Sequence, residues 1–474
     1  MGSAEAVKGR YIALAIVIAG VFMSVVDAVA LNIALPAITS DFGVTVADAQ
    51  WVVTAYLLTQ TCFLIVAGKV SEKTGQAKMF TVGLMAFTIA SLLCALSADL
   101  GQLIVFRVAQ GIGASMMFSV STSIVFRSFD AHNRGKAMGF LGSTVAVGGM
   151  LGPVIGGFLV GVLGWQSIFL INIPVGAASA VAAVKFLRID EALVDKLSMD
   201  YVGTALWVLS MSSLMLTLGW LGQYGAVTLE IAIAFAVFVA SIASFIRRER
   251  TTPYPLMDIS VFRVRRFSLV GLSMVMFFLS MSMVTILGPF YYEGVVNFDP
   301  TIVGLIFMVL PMVTIFGSPL VGKMYDSQRF RPYAMAGHLV RAGGFFVMSF
   351  GFLIISIPLT VAGFFLMGIG SSLFQTPNNA EMMLALPREK SALASSIQAT
   401  TRNLSVAMGI SIATILMTLM MGSMDYGAIA GGPLAGELAR PVAIAISFGG
   451  ALSLMGAAIS RKVAKLVAKE EAGP

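Results

Sequence analysis

The sequence predicts an all-α protein that crosses a membrane fourteen times, and three observations lead to this prediction. Hydrophobic residues make up 58% of the 474-residue chain and charged residues only 11%, whereas a soluble domain carries about 25% charged residues. The mean hydropathy of +0.92 places the chain in a bilayer rather than around a soluble core. The basic residues also collect in the loops on one side of the apolar runs.

A bilayer span needs about 20 mostly apolar residues, and fourteen runs satisfy this requirement. They are residues 11–36, 46–67, 79–98, 101–126, 135–160, 166–186, 201–221, 226–246, 268–290, 302–322, 333–355, 358–384, 392–421 and 441–461. The first run follows Lys8 and Arg10 and exceeds the apolar core of a cleavable signal, so we expect it to be retained.

The positive charges predict the orientation of these spans. One set of loops, together with both termini, holds 26 of the 30 basic residues, and the opposite set holds only Arg440. Since basic loops stay in the cytoplasm, both termini are predicted to be cytoplasmic. The net charge of +7 is spread among short loops, so we expect no nucleic-acid partner.

Cofactor and metal sites are not predicted. Cys62 and Cys94 fall in apolar spans, and His132 and His338 are far apart in sequence, which argues against a disulfide framework or a metal centre. The sequence has no phosphate-binding Gly-x-x-x-x-Gly-Lys-Ser/Thr loop and no soluble domain to house a nucleotide. An ion gradient is therefore the expected energy source, and no enzymatic nucleophile–base pair is apparent in the loops.

The fifth span contains five glycines and a proline at fixed spacing: Gly139, Gly148, Gly152, Pro153, Gly156 and Gly157. Gly148, Gly152 and Gly156 recur every fourth position and form one bare face, which lets a neighbouring helix approach closely in a membrane. Pro153 lacks an amide donor and crowds the preceding turn, so we expect a bend there. A glycine-rich helix that serves only for packing is the alternative interpretation.

A short repeat indicates two related halves. Residues 68–72 follow the second span and residues 322–326 the tenth, and both read Gly-Lys-x-x-acid. This repeat predicts two six-helix bundles, residues 1–190 and 256–474, with two inserted helices in 191–255. Repeated halves are the usual architecture of carriers that work by alternating access.

Several further segments carry a family resemblance: Asp27 with residues 32–36, and residues 51–58, 107–113, 169–176 and 402–404. Together with the glycine helix they resemble the 14-helix drug:proton antiporter branch of the major facilitator superfamily, along nearly the whole chain. The resemblance implies the major facilitator fold in the inner membrane of a prokaryotic cell. A monomer is expected, because one chain suffices for a carrier built from two halves. It further implies proton-coupled multidrug efflux of lipophilic compounds, of the quaternary-ammonium or tetracycline exporter type, and hence antibiotic resistance.

The sequence departs from the family pattern mainly in the loop after the second span. Glu72 and Lys73 replace the usual Asp-Arg pair, and Gln76 and Ala77 stand where basic residues are common. Gln166 stands where the family tends to have arginine. These changes affect a cytoplasmic latch, for which we consider Gly68, Glu72, Lys73, Gly75, Arg134 and Asp326. Glu72 is expected to pair with Arg134, an exposed contact that contributes about 0–1 kcal/mol.

Asp27 is the candidate proton-coupling acid. It lies roughly 24 Å from the inner end of the first span, and Arg107 lies about 9 Å from the outer end of the fourth, so both reach similar depth. A carboxylate at that depth is costly and needs a wet cavity or a partner. Arg107 keeps its proton, so we expect it to set the proton affinity of the acid or to hold water. A fixed structural ion pair is the alternative.

The second half contributes candidate substrate-cavity residues, namely Arg341, Gln375, Asn378, Glu381 and Arg402. For Glu381, the sequence favours an interfacial position with its carboxylate reaching towards water over a substrate or secondary proton role. The 30 methionines and 33 phenylalanines suit a cavity that accepts several apolar shapes, or simple filling between helices. A dedicated carrier of one lipid, siderophore or metabolite is the alternative function. A receptor or scaffold would need neither a buried acid nor a Gly-Pro bend.

Overall fold

The computed structural model describes residues 3–189, 199–224, 227–327, 332–421 and 439–471. Every regular element within these ranges is a helix. The α-helices are α1 (Ser3–Phe42), α2 (Val46–Thr74), α3 (Gln76–Ala95), α4 (Leu100–Ser128), α5 (Arg134–Leu163), α6 (Ser167–Leu170), α7 (Asn172–Phe186), α8 (Tyr201–Tyr224), α9 (Leu229–Glu249), α10 (Arg265–Gly294), α11 (Pro300–Phe307), α12 (Val309–Asp326), α13 (Tyr333–Leu353), α14 (Ile357–Leu384), α15 (Ser391–Met421) and α16 (Ala439–Glu471).

The predicted all-α membrane fold is confirmed. Thirteen helical segments of the described residues are long and apolar enough to cross a membrane. The remaining predicted span, 392–421, coincides with α15. Two spans are each built from two helices: α6 and α7 meet at Ile171, and α11 and α12 meet at Met308.

Some helices extend beyond the predicted spans. The first helix continues past Pro36 to Phe42, and α16 continues ten residues past the predicted end at 461. A span predicted from hydropathy ends at the first charged residues, whereas a helix ends only where its backbone hydrogen bonds end. The charged end of α16 is therefore helical although it is not apolar. The helix α5 runs through Pro153, and the bend expected there stays a prediction.

Helix contacts divide the chain into two compact units. Unit 1 comprises residues 1–212, 241–259 and 386–400, and unit 2 comprises residues 213–240, 260–385 and 401–474, in each case as far as they are described. The helices α8, α9 and α15 each contribute residues to both units. The predicted division at residues 190/191 and 255/256 stays a prediction.

Unit 1 has an apolar core at the ends of α1, α2 and α4. Leu31 and Ile38 of α1 pack with Leu103, Trp165 and Phe169, all of them buried. The indole Nε1 of Trp165 also donates to Asp41 Oδ2 at 2.8 Å. In a bilayer, helix association depends on such close packing and hydrogen bonding, because lipid tails are as apolar as the side chains.

The bare face of α5 packs against α1 as the glycine spacing predicts. A Cβ built on Gly156 would lie 2.9 Å from the Cα and 3.0 Å from the carbonyl oxygen of Ala30. A Cβ on Gly152 would lie 2.8 Å from the Cβ of Val29, and Gly148 also faces α1. Only glycine permits this approach of the two helices. Gly157 points to open space, and Gly139 is buried in the same helix.

The residue before the inserted helix α8 forms an ion pair with the last turn of the inserted helix α9. Asp200, just before α8, accepts from Arg248 Nε at 2.6 Å, and this hydrogen bond lowers the pKa of Asp200. The indole of Trp207 donates to the carbonyl oxygen of Cys62 in α2 at 3.0 Å. These contacts attach the beginning of the hairpin to unit 1.

Two alanine substitutions test the packing of α5 on α1. We expect Gly156→Ala to lower the unfolding temperature of the purified protein, because overpacking a close contact costs about 1–3 kcal/mol. Gly157→Ala is the matched control, since it adds the same methyl group to the next residue where nothing lies within 4 Å. Equal unfolding temperatures for the two variants would show that the glycine face does not set the distance between these helices.

Candidate functional site: a buried carboxylate and its partners

The structure brings Asp27 of α1 and Arg107 of α4 into direct contact. Both side chains are fully buried, and Arg107 Nη1 lies 2.6 Å from Asp27 Oδ2. Helix rise predicts a similar depth for these two residues, and in the structure they form an ion pair. Local sequence sets the register of α4: Asp99 caps its first turn by accepting from the amide of Gln102 at 2.8 Å.

Two amide side chains complete the coordination of the carboxylate. Gln110 follows Arg107 by one helical turn, and its Nε2 donates to Asp27 Oδ1 at 3.1 Å. Asn172, the first residue of α7, donates its Nδ2 to the same oxygen at 2.8 Å. Ser91 Oγ of α3 accepts from Gln110 Nε2 at 2.8 Å. Asp27 thus accepts three hydrogen bonds, one of them from a cation.

Arg107 has partners besides the acid. Its Nε donates to the carbonyl oxygen of Val52 at 3.0 Å, and its Nη1 also donates to Gln110 Oε1. The guanidinium carbon lies 4.1 Å from the centroid of the Tyr56 ring, a cation–π distance. The Tyr56 hydroxyl in turn shares a 2.6 Å hydrogen bond with Ser24 of α1.

Arg107 has hydrogen-bond and aromatic partners that do not depend on the charge of Asp27. Removing one partner from a buried ion pair costs about 3–5 kcal/mol, because the other charge is left uncompensated. If Asp27 is protonated, however, Arg107 keeps Val52, Gln110 and the face of Tyr56. Stripping the cation of every partner would be far more costly.

The sequence patterns predict no role for Gln110, Asn172, Ser91 or Tyr56. Three of them lie within the segments that carry the family resemblance, 107–113, 169–176 and 51–58. Their polar character inside apolar spans was a usable signal. The sequence does not show which helices lie side by side, so it does not show which of these side chains point towards Asp27.

The predicted cavity residues of the second half lie in unit 2. Arg341 is fully buried, and its Nη2 donates to Ser280 Oγ at 3.1 Å and to the carbonyl oxygen of Phe277 at 3.4 Å. Its guanidinium carbon lies 3.7 Å from the centroid of the Phe277 ring. No acid of the described residues forms an ion pair with Arg341, in contrast to Arg107.

Glu381 is held by two neighbours at the end of α14. Arg266 Nη2 donates to Glu381 Oε2 at 2.6 Å, and the Tyr325 hydroxyl donates to Oε1 at 2.5 Å. The side chain of Glu381 is 17% exposed, so this carboxylate is neither fully buried nor freely solvated. Gln375 and Arg402 are half-buried, whereas Asn378 is buried.

Two of the predicted latch residues, Glu72 and Arg134, have other partners in the structure. Glu72 forms an ion pair with Lys69 at 2.8 Å. The guanidinium Nε of Arg134 donates to the carbonyl oxygens of Phe126 and Phe129 at 3.1 and 2.9 Å. The expected pairing of Glu72 with Arg134 stays a prediction.

The other latch residues have varied positions. Gly75 ends α2 with a φ of +88°, a conformation that favours glycine. Gly68 lies so close to Ser396 of α15 that a Cβ would overlap its side chain. Lys73 is exposed, and Asp326 is the last residue of α12. Within the described ranges, no three His, Cys, Asp or Glu side chains are grouped as metal ligands.

The chain matches the model of the Major Facilitator Superfamily over residues 17–410. It is 32% identical to the riboflavin transporter RibZ of Clostridioides difficile, covering 85% of this chain and 87% of RibZ. It is 28% identical to the multidrug export protein EmrB of Escherichia coli, covering 84% of this chain and 78% of EmrB. Among solved structures, the human organic anion transporter MFSD10 has a TM-score of 0.66 at 15% identity, covering 95% of this chain and 99% of MFSD10.

The fold, the buried ion pair and these comparisons define a multi-pass membrane transporter rather than an enzyme. The chain belongs to the major facilitator superfamily. The resemblance to the 14-helix drug:proton antiporter branch is confirmed, since multidrug exporters such as EmrB are among the relatives.

The role of Gln110 can be tested by a substitution that preserves its shape. We expect Gln110→Met to lower the stability of the purified protein by about 1–3 kcal/mol, because Asp27 loses a donor and Arg107 an acceptor in a buried site. Gln102→Met, in the exposed first turn of the same helix, is the control and should change the unfolding temperature little. Equal effects of the two substitutions would refute the structural role of Gln110.

Proposed function

We propose that the protein is a proton-coupled antiporter that exports lipophilic small molecules by alternating access. The multidrug exporters among its relatives support this substrate class, and EmrB of Escherichia coli is one of them. In this proposal the protein works in the inner membrane of a prokaryotic cell, with both termini in the cytoplasm. The bacterial relatives and the distribution of basic loops support that location.

The observation that carries the proposal is the buried carboxylate of Asp27 with exchangeable partners. A proton arriving from outside neutralises Asp27, and Arg107 then relies on Val52, Gln110 and Tyr56. Release of the proton to the cytoplasm restores the ion pair. Asp27 therefore has two protonation states that differ in how tightly α1 is held to α4.

The energy that a proton gradient supplies is similar in size to the energy needed to break the buried ion pair. One charge moving through 100 mV releases about 2.3 kcal/mol, and each pH unit adds about 1.4 kcal/mol. Breaking a buried pair outright costs about 3–5 kcal/mol. A proton gradient can therefore drive the exchange when Arg107 keeps its other partners, and substrate binding supplies the rest.

In this mechanism the remaining candidates have supporting roles. Arg341, Gln375, Asn378, Glu381 and Arg402 are the polar groups that we propose for substrate contact. The latch residues around Glu72 would bias the two states by a small amount, since exposed ion pairs contribute about 0–1 kcal/mol. The close packing of α5 on α1 would keep the acid and its surroundings in one rigid unit.

A dedicated carrier of one physiological solute is the second candidate. The specific observation in its favour is the 32% identity to the riboflavin transporter RibZ of Clostridioides difficile. A carrier of this kind would use the same proton-coupling site with a selective cavity. The substrate class, and not the energy source, separates the two candidates.

The coupling role of Asp27 is tested in proteoliposomes with an imposed proton gradient. Asp27→Asn should abolish proton-driven transport while the protein stays folded, because the amide resembles the neutral acid that the cycle itself visits. Asp41→Asn, on the same helix, is the matched control and should keep transport. Asp27→Asn pumping at the wild-type rate would exclude Asp27 as the coupling acid.

Resistance profiling separates the two substrate classes. A multidrug exporter expressed in a sensitive bacterial strain should raise the inhibitory concentrations of several unrelated lipophilic compounds. The Asp27→Asn variant, expressed to the same level, should remove this protection. Protection against none of them, together with transport of riboflavin or a similar single solute, would favour the dedicated carrier.

A further inference from the structure

We propose that the last part of α16 carries a binding site for the headgroups of anionic phospholipids. Its ligands are Arg461, Lys462, Lys465 and Lys469, which we call the basic stripe. All four side chains are exposed, and none of them forms an ion pair with another residue that the structure describes. The site is independent of what the protein transports.

The four residues share one face of the helix. At about 100° per residue, they lie within an arc of roughly 100°. The opposite face is attached to the bundle: Val463 is buried, and Glu470 pairs with Arg266 of α10 at 2.9 Å. The basic stripe therefore points away from the protein, and the end of α16 is held in place behind it.

The same outward face of α16 is apolar in the turns that precede the basic stripe. Ala451, Leu454, Met455 and Ala458 are exposed, and helical spacing places them in line with the basic stripe. Exposed apolar side chains on a bilayer-spanning helix face lipid tails. The change from apolar to basic between Ala458 and Arg461 is therefore the point where lipid tails give way to headgroups.

Two contacts fix the depth of the stripe relative to a neighbouring span. Ser460 Oγ lies 2.6 Å from Ser273 Oγ of α10, and Glu470 lies beside Arg266. Residues 461–469 thus run alongside the first two turns of α10, a helix apolar enough to span a membrane from Arg265 onwards. The stripe therefore lies at the edge of the bilayer, where long basic side chains extend to phosphates.

This depth favours lipid over other polyanions. A soluble acidic protein or a nucleic acid would have to reach basic groups that lie level with a bilayer span. Phospholipid headgroups occupy that layer already, and each basic residue near an anionic membrane surface strengthens binding by about fivefold. A row of four such residues without acidic partners matches phosphatidylglycerol or cardiolipin headgroups by charge.

The test measures phosphatidylglycerol binding to the delipidated full-length protein in detergent, by native mass spectrometry and by the rise in unfolding temperature. Phosphatidylcholine serves as the zwitterionic reference lipid. The stripe variant replaces all four residues with glutamine. The control variant removes the same number of positive charges, three lysines and one arginine, from exposed positions outside the stripe. Its substitutions are Lys73→Gln, Lys78→Gln, Lys185→Gln and Arg188→Gln. A third variant keeps the charge with arginine at the three stripe lysines.

We expect wild type, the control variant and the arginine variant to bind phosphatidylglycerol alike, and the stripe variant to bind at least tenfold more weakly. Phosphatidylcholine binding should be the same in all four, which also shows that each variant is folded. Unchanged phosphatidylglycerol binding by the stripe variant would overturn the proposal, as would an equal loss in the control variant. Binding of soluble polyglutamate as tightly as phosphatidylglycerol would also overturn it.

Discussion

The contact between Asp27 and Arg107 is the constraint on which unit 1 depends. Two opposite charges with no exposure to water must stay together or find other partners, because neither is tolerated alone in an apolar bundle. The pair joins α1 to α4, and its hydrogen bonds extend to Val52 of α2 and Asn172 of α7. Any movement of these helices therefore changes the environment of the acid.

The buried arginines of the two units have different partners. Arg107 in unit 1 has an acid, an amide oxygen and a carbonyl oxygen within hydrogen-bond distance. Arg341 in unit 2 has a serine hydroxyl, a carbonyl oxygen and an aromatic face, and no ion pair with any acid that the structure describes. Only the first arrangement contains a carboxylate paired with the arginine, which is why the coupling role is proposed for unit 1.

Sequence patterns predict the spans well, because a bilayer demands apolar runs of a set length. They also predict that a neighbouring helix packs closely on α5, since every fourth residue on one face is glycine, and the structure identifies that neighbour as α1. The depth of Asp27 and Arg107 follows from helix rise alone. The break at Ile171 escapes the hydropathy pattern because it does not change the average hydrophobicity of the run. The helical end of α16 escapes it for the opposite reason, since that end is charged and not apolar.

The partners of the acid are harder to predict for a different physical reason. Gln110 and Asn172 are far apart in sequence and meet only because three helices cross at Asp27. Glu72 is a second example: it forms an ion pair with Lys69, one turn away on the same helix, which the sequence analysis does not predict, while its pairing with Arg134 stays a prediction. Local patterns give the residue types of a site, whereas its pairings depend on helix packing.

The proposed coupling requires Asp27 to change its protonation state during transport. The most direct measurement is infrared difference spectroscopy of the purified protein on substrate binding, with Asp27→Asn to assign the carboxyl band and a pH indicator to count released protons. We expect substrate to remove a protonated-carboxyl band belonging to Asp27 and to release protons, and we expect the Asn variant to show neither. A carboxylate at Asp27 that stays ionised throughout turnover would contradict it.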